Sequence, residues 1–157
     1  MDNLQSQENL SSRMSESFRF FNHLDEDEVK AFLHFCENKQ VDAGDTVWHE
    51  GDEDNYAAFV MSGKLGIKKR TEFKDKHLIV GLFTKGSVVG ELCLLTQHPR
   101  SVTAVALEPA EMVILSSNHF ESMISDHPML GLKLLKHIFL VISKRLNRST
   151  DRIAQIF

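Results

Sequence analysis

Between residues 86 and 106 the chain carries Gly90-Glu91, the apolar run Leu92-Cys93-Leu94-Leu95, and then Pro99-Arg100. The chemistry open to this spacing is capture of a phosphate. The apolar run is long enough for about one helical turn. The start of such a turn carries unpaired backbone N–H groups and a partial positive charge, which attract an anion. Gly90 frees the backbone to approach a ligand, and Arg100 follows with a planar fork of donors suited to phosphate. Glu91 does not fit the same anion, because like charges repel. A carboxylate beside a bound phosphate is useful as the acceptor of a neutral hydroxyl, and a ribose 2′-OH is the obvious one. Phosphate plus ribose means a nucleotide. The plainer alternative for this stretch is an ordinary turn with an exposed arginine.

The elements that must hold these residues follow from the period of the apolar positions. Short strand-like runs are expected at 39–41, 46–49, 57–61, 65–69, 77–82, 101–106 and 112–115. Turn signals separate them, among them Ala43-Gly44-Asp45, Glu50-Gly51-Asp52, Ser62-Gly63-Lys64 and Glu108-Pro109-Ala110. Many short, evenly spaced strands predict a mainly β fold, with a jelly roll (double-stranded β-helix) the natural candidate. Residues 1–15 are rich in Ser, Gln and Asn and read as a flexible N-terminal arm or frayed helix. Phe18, Phe20, Phe21 and Leu24 form an apolar cluster expected to dock on the body. Asp25 with Glu28 matches a capping box ahead of Val29, Phe32, Leu33 and Cys36 at helical spacing. Ser117-Asn118 reads as the cap of a further helix reaching about Asp126.

Pro128 suits the first turn of a long last helix, over about 128–156. Leu132, Leu135, Phe139, Ile142, Leu146, Ser149, Ile153 and Ile156 recur along it in alternating steps of 3 and 4. That is a heptad seam, which predicts a homodimer through this helix. From Met129 to Phe157 the charge is +5, against a formal total of -4, so the remainder carries -9. The bland reading of this basic helix is a solvated face with cations near a helix C-terminus. Attraction of an anionic ligand, a nucleic acid or a membrane surface are the sharper ones.

Composition sets the outer bounds. With 42% hydrophobic and 25% charged residues, the chain has the make-up of a soluble globular domain of ordinary size. Cys36 and Cys93 form no Cys-x-x-Cys pair, and no stretch reads as a signal peptide or long apolar span. The expected setting is reducing and cytoplasmic, with free thiols. The eight histidines include no His-x-His and no His-Glu-x-x-His. This weighs against a cupin-like metalloenzyme, and no metal or cofactor is expected.

The run Gly90-Glu91-Leu92-Cys93-Leu94-Leu95, followed by Pro99-Arg100-Ser101-Val102-Thr103-Ala104, resembles the phosphate-binding cassette of cyclic nucleotide-binding domains. That family includes the bacterial catabolite activator protein, the regulatory subunits of protein kinase A and nucleotide-gated channels. Val47-Trp48-His49-Glu50-Gly51-Asp52 and Phe59-Val60-Met61-Ser62-Gly63-Lys64-Leu65 resemble its early strands and turns. The resemblance assigns residues 16–157 to one such domain, with the jelly roll at about 39–116. It implies a regulatory, non-catalytic sensor of cAMP, or of cGMP, acting in signal transduction. Arg100, Ser101 and the N–H groups of Leu92 and Cys93 would hold the phosphate, while Glu91 beside Gly90 would take the ribose. Cys93 stands where the family usually has Ala or Gly, and is read as a small buried apolar residue. Lys144-Arg145-Leu146-Asn147-Arg148-Ser149-Thr150-Asp151 resembles the catabolite activator protein's dimer helix, which implies a base contact from Ser149 and Thr150. Ser149 also lies on the seam, where it can instead set register. The family's DNA-binding members carry a helix-turn-helix after this helix. The sequence stops short of one, so neither direct DNA binding nor a membrane partner is expected. A domain that kept the fold as a ligand-free interaction module remains the alternative.

Overall fold

The computed structural model describes residues 2–72 and 76–155. The elements run α1 (Asp2–Ser17), α2 (Glu26–His34), β1 (Cys36–Val41), β2 (Thr46–Trp48), β3 (Tyr56–Arg70), β4 (His77–Thr84), β5 (Val88–Val89), β6 (Thr103–Ser116), α3 (Ser117–Asp126) and α4 (Pro128–Ala154). Two 3-10 turns, Arg19–His23 and Glu91–Leu94, complete the order. All strand pairing is antiparallel, in the order β1-β6-β3-β4, with β2 also on β6 and β5 also on β3. This is a jelly roll with flanking helices, as the sequence predicts.

Four of the expected short strands are in fact two long ones. Runs 57–61 and 65–69 are joined in β3, and runs 101–106 and 112–115 in β6. The intervening Gly63 and Pro109 read as turns, but they face each other at a bend. Gly63 has φ +82°, and a β-carbon there would sit 2.1 Å from the Pro109 carbonyl oxygen. The β3–β6 register shifts on both sides of this point. The pair therefore bends without parting, as bulged strands do.

β3 separates two cores by its two-residue period. Ala57, Phe59 and Met61 face the helices, where Phe59 meets Phe18 and Phe32 edge-on at centroid distances of 5.5 and 5.3 Å. Tyr56, Ala58 and Val60 face into the roll with Trp48, Leu65 and Met112. Asp25 and Glu28 form the expected capping box of α2. The cap of α3 is Ser116, one residue earlier than expected, accepting from His119 N at 3.1 Å.

The N-terminal segment, read as a flexible arm or frayed helix, forms most of helix α1. Met14 is fully buried, Leu10 packs on the same core, and Arg13 pairs with Glu111 of β6. The apolar residues of this polar segment are few, but Leu10 and Met14 are one turn apart, so they share a face. The last helix matches its expected start at Pro128 and is described to Gln155. Ile156 and Phe157 lie outside the described residues. Both cysteines are free thiols.

Candidate functional site

The 3-10 turn after Gly90 is positioned by strand β5, which pairs Val89 with Ala58 and Val88 with Phe59. Cys93 and Leu94 bury the inner side of the turn, while Leu92 is left exposed. Gly90 opens it in the left-handed region at φ +73°. Cys93 donates its N–H to the Gly90 carbonyl at 3.1 Å, closing the turn. Of the two amides expected to cradle phosphate, Cys93's is thus engaged within the turn. Among the described residues Leu92's has no backbone partner outside its own turn.

Arg100 lines the same cavity and is anchored from a second turn. Its N–H donates to the Asp52 carbonyl and its carbonyl accepts from Gly51 N, both at 2.8 Å, so the turn at Glu50-Gly51-Asp52 holds its backbone. The side chain is not the exposed arm of an ordinary turn; the residue is 4% exposed. Its guanidinium stacks over Trp48 at 4.0 Å and over Tyr56 at 4.6 Å from the ring centroids. Nη2 donates to the Tyr56 carbonyl at 2.8 Å and Nη1 contacts Cys93 Sγ at 3.1 Å. Nε is buried without a partner. A buried donor left unpaired is costly. Cys93 is buried, as expected, and it also touches the arginine.

Glu91, Gly90, Leu92, Cys93, Arg100 and Ser101 all line one cavity of about 420 Å³, within the usual size of small-molecule sites. Trp48, Ile67, Phe83, Val89 and Val102 supply its apolar wall. Lys69 donates to both Glu50 and the Ser101 carbonyl, fixing the strand beyond Arg100. The hydrogen bond from Lys69, helped by Arg70, holds the Glu50 carboxyl below its ordinary range.

The two residues of the last helix expected to contact a base lie apart from the cassette. Ser149 and Thr150 are exposed, do not line the cavity, and donate to their own helix carbonyls at Arg145 and Leu146. The α4 residue that does line it is Arg145, one turn earlier, whose Nη1 lies 3.1 Å from Glu91 Oε1. In the sequence Arg145 is one of several cations on a basic helix, for which a solvated face is the bland reading and attraction of an anionic ligand one of the sharper ones. Its signal was the uncompensated charge of the helix, which named no particular residue. Among the described residues no group of three or more His, Cys, Asp or Glu can hold a metal ion. No described helix is long and apolar enough to cross a membrane.

A jelly roll that closes a carboxylate and a buried guanidinium around one cavity defines a class of small-ligand-binding domains. This chain belongs to the cyclic nucleotide-binding domain family, whose profile matches residues 38–127. It is similar to the cAMP-dependent protein kinase regulatory subunit of Yarrowia lipolytica, at 32% identity over 119 residues, covering 76% of this chain and 30% of that one. It is also similar to the lysophospholipase NTE1 of Chaetomium globosum, at 32% identity over 113 residues, covering 71% of this chain and 7% of that protein. The chain thus spans a small part of these curated relatives. Among solved structures, a cyclic nucleotide-binding domain from Methylobacillus flagellatus superposes with TM-score 0.83 at 20% identity, covering 94% of this chain and 85% of that one. The regulatory domain of Toxoplasma gondii PKA, solved with cAMP, gives TM-score 0.63 at 25% identity, covering 78% and 46%.

Proposed function

We propose that this domain captures a cyclic purine nucleotide, cAMP first and cGMP second, and couples capture to the position of α4. The observation that carries the reading is that Glu91, Leu92, Arg100 and Ser101 line one cavity. In this reading Arg100, Ser101 and the Leu92 N–H face the cyclic phosphate, and Glu91 accepts from the ribose 2′-OH. The apolar wall shields the charged contacts from water, which strengthens them. The similarity to a cAMP-dependent kinase regulatory subunit and to a PKA domain solved with cAMP supports the choice of ligand. The role is regulatory and not catalytic. The similarity to a lysophospholipase covers too little of that protein to carry its activity here.

Ser149 and Thr150 reach the base in this reading only after α4 moves, or from a second copy of the chain. The second copy has a place to dock. Leu132, Phe139, Leu146 and Ile153 recur every seventh residue on α4 and are all exposed, Phe139 at 71%. An exposed apolar stripe of heptad period is the seam of a homodimer. No nucleic acid or membrane enters the proposal, and the compartment is the cytoplasm.

Calorimetric titration with cAMP, cGMP and 2′-deoxy-cAMP tests the ligand reading. Binding of cAMP that weakens when the 2′-OH is missing supports it. No heat with either nucleotide at millimolar concentration sinks it, in favour of a ligand-free interaction module.

A further inference from the structure

Strand β4 lies at one end of the sheet order, and among the described residues no strand pairs with its outer edge. Its run His77-Leu78-Ile79-Val80-Gly81-Leu82-Phe83-Thr84 contains no Lys, Arg, Asp, Glu or Pro. Edge strands are ordinarily blunted by charges or proline, because their unpaired N–H and C=O groups invite another strand. The strand at the opposite end, β1, carries Glu37 and Lys39. In β4, Leu78, Ile79, Val80 and Leu82 are instead each more than half exposed. A register shift leaves Val80 with no partner residue in β3. A bulge is another common guard of an edge, but this one adds an exposed valine. The inner side of the strand is accounted for, since Phe83 lines the cavity. On the outer side Leu82 pairs in register with Gly66 of β3, and a β-carbon on Gly66 would sit 3.1 Å from Leu107 of β6. The apolar surface therefore runs on from β4 across β3 to β6.

Positive charge flanks this apolar strip at both ends. Among the described residues of 64–85, six Lys or Arg stand against Glu72 alone, a net +5 in a chain of net -4. Lys64 and Lys69 are met by Glu108 and Glu50. Lys68 and Arg70 remain at the hairpin end of β4, in register with Ile79 and His77, and Lys85 follows its other end. A second copy of the strand would bring the same cations to the same ends, and α4 of a second copy is itself basic, so like charge opposes both. A lipid surface would meet the cations but leave the N–H and C=O groups of the edge without partners. An extended peptide with an apolar centre and acidic ends satisfies the edge and the charges together.

We propose that the outer edge of β4 is a docking site for an extended segment of a partner protein, apolar at its centre and acidic at its ends, which adds to the sheet as a further strand. Main-chain hydrogen bonds along 77–84 supply the affinity, as in other cases of strand addition. The centre of the segment packs on the strip at Ile79 and Leu82. Its acidic ends pair with Lys68 and Arg70 on one side and with Lys85 on the other. The site needs no bound nucleotide and stands or falls apart from the ligand reading.

The test uses the full chain and a labelled synthetic peptide with alternating Val and Thr in the centre and Glu at both ends, beside a counterpart with Lys in place of Glu. Fluorescence anisotropy should show binding of the Glu-ended peptide that weakens as salt is raised. Hydrogen exchange should slow at 77–84 and stay as it was at 36–41. Lys68→Glu combined with Lys85→Glu should weaken the Glu-ended peptide roughly tenfold and favour the Lys-ended one. Leu82→Lys, at an exposed position, should abolish the protection with the melting temperature unchanged. No binding at millimolar peptide, equal binding of the two peptides, or protection elsewhere than 77–84 overturns the proposal. Two rival results overturn it as well. Faster sedimentation of the chain alone that Leu82→Lys reverses makes a second copy the occupant. Co-sedimentation with phosphatidylserine–phosphatidylcholine vesicles that Leu82→Lys abolishes makes it a lipid surface.

Discussion

Gly90 and Arg100 are fitted to each other: a β-carbon on Gly90 would lie 2.5 Å from Arg100 Nη1 and 3.0 Å from the Tyr56 carbonyl that Arg100 also uses. The glycine is required twice, for its left-handed φ and for the space its missing side chain leaves to the guanidinium. Gly90→Ala should therefore lower stability by about 1–2 kcal/mol from the backbone alone. It should also push Arg100 off its stack and weaken cyclic nucleotide binding. Denaturant unfolding and calorimetric titration of the same preparation check both effects. Loss of stability with full affinity would separate the glycine from the site.

The placement of Arg100 over the Trp48 and Tyr56 rings, which meet edge to face, uses the flat shape of the guanidinium as well as its charge. Arg100→Lys keeps the charge and loses the fork and the stack. It should cost roughly ten- to a hundredfold in cAMP affinity, and Arg100→Leu at least as much, since a charge-assisted hydrogen bond is worth about 1.5–3 kcal/mol. An unaltered titration curve for Arg100→Leu would remove the phosphate role.

On α4 the heptad positions divide between the domain's own core and solvent. Leu135 and Ile142 are half-buried against the domain's own core, whereas Phe139 and Leu146 are exposed. Phe139→Glu should convert a dimer to monomers in sedimentation velocity with little change in melting temperature. Ile142→Glu places a charge against the core and should lower the melting temperature whatever the oligomeric state. A dimer that survives Phe139→Glu moves the interface elsewhere.

His137 is half-buried on α4, its ring stacked on Phe20 at a centroid distance of 5.0 Å. Burial, with Lys144 and His23 nearby, depresses its pKa below the ordinary value of 6.5. The folded state therefore holds its proton less tightly than the unfolded chain does. This contribution to stability is present above the unfolded value and is lost as pH falls through the folded one. Melting temperature should drop as pH is lowered below about 6.5, and His137→Gln should flatten that part of the profile. Identical profiles would exclude His137 as the source.

How much of this was legible in the sequence depends on how far apart the partners lie. Gly90, Glu91 and Arg100 fall within one short stretch, so their convergence on one cavity is legible from types and spacing. The capping box at Asp25 and Glu28 is local for the same reason. Arg145 reaches Glu91 across 54 residues, and a cation on a basic helix looks the same in sequence whether it is solvated or paired. Gly63 and Pro109 carried turn chemistry, and nothing local says that two such residues will face each other in adjacent strands. Met14 hid in a polar segment because one buried methionine leaves almost no mark on composition.

The bend that Gly63 and Pro109 share has a mechanical consequence. Strand β6 starts just past Arg100, at Thr103, and ends at Ser116, which caps α3. It is laddered to β1 and β2 on one edge and to the equally long β3 on the other. A rod clamped along both sides does not slide. In the proposed reading the wall is the fixed frame against which capture acts, and α4 meets that frame beside the cavity where Arg145 pairs with Glu91 in the turn after β5.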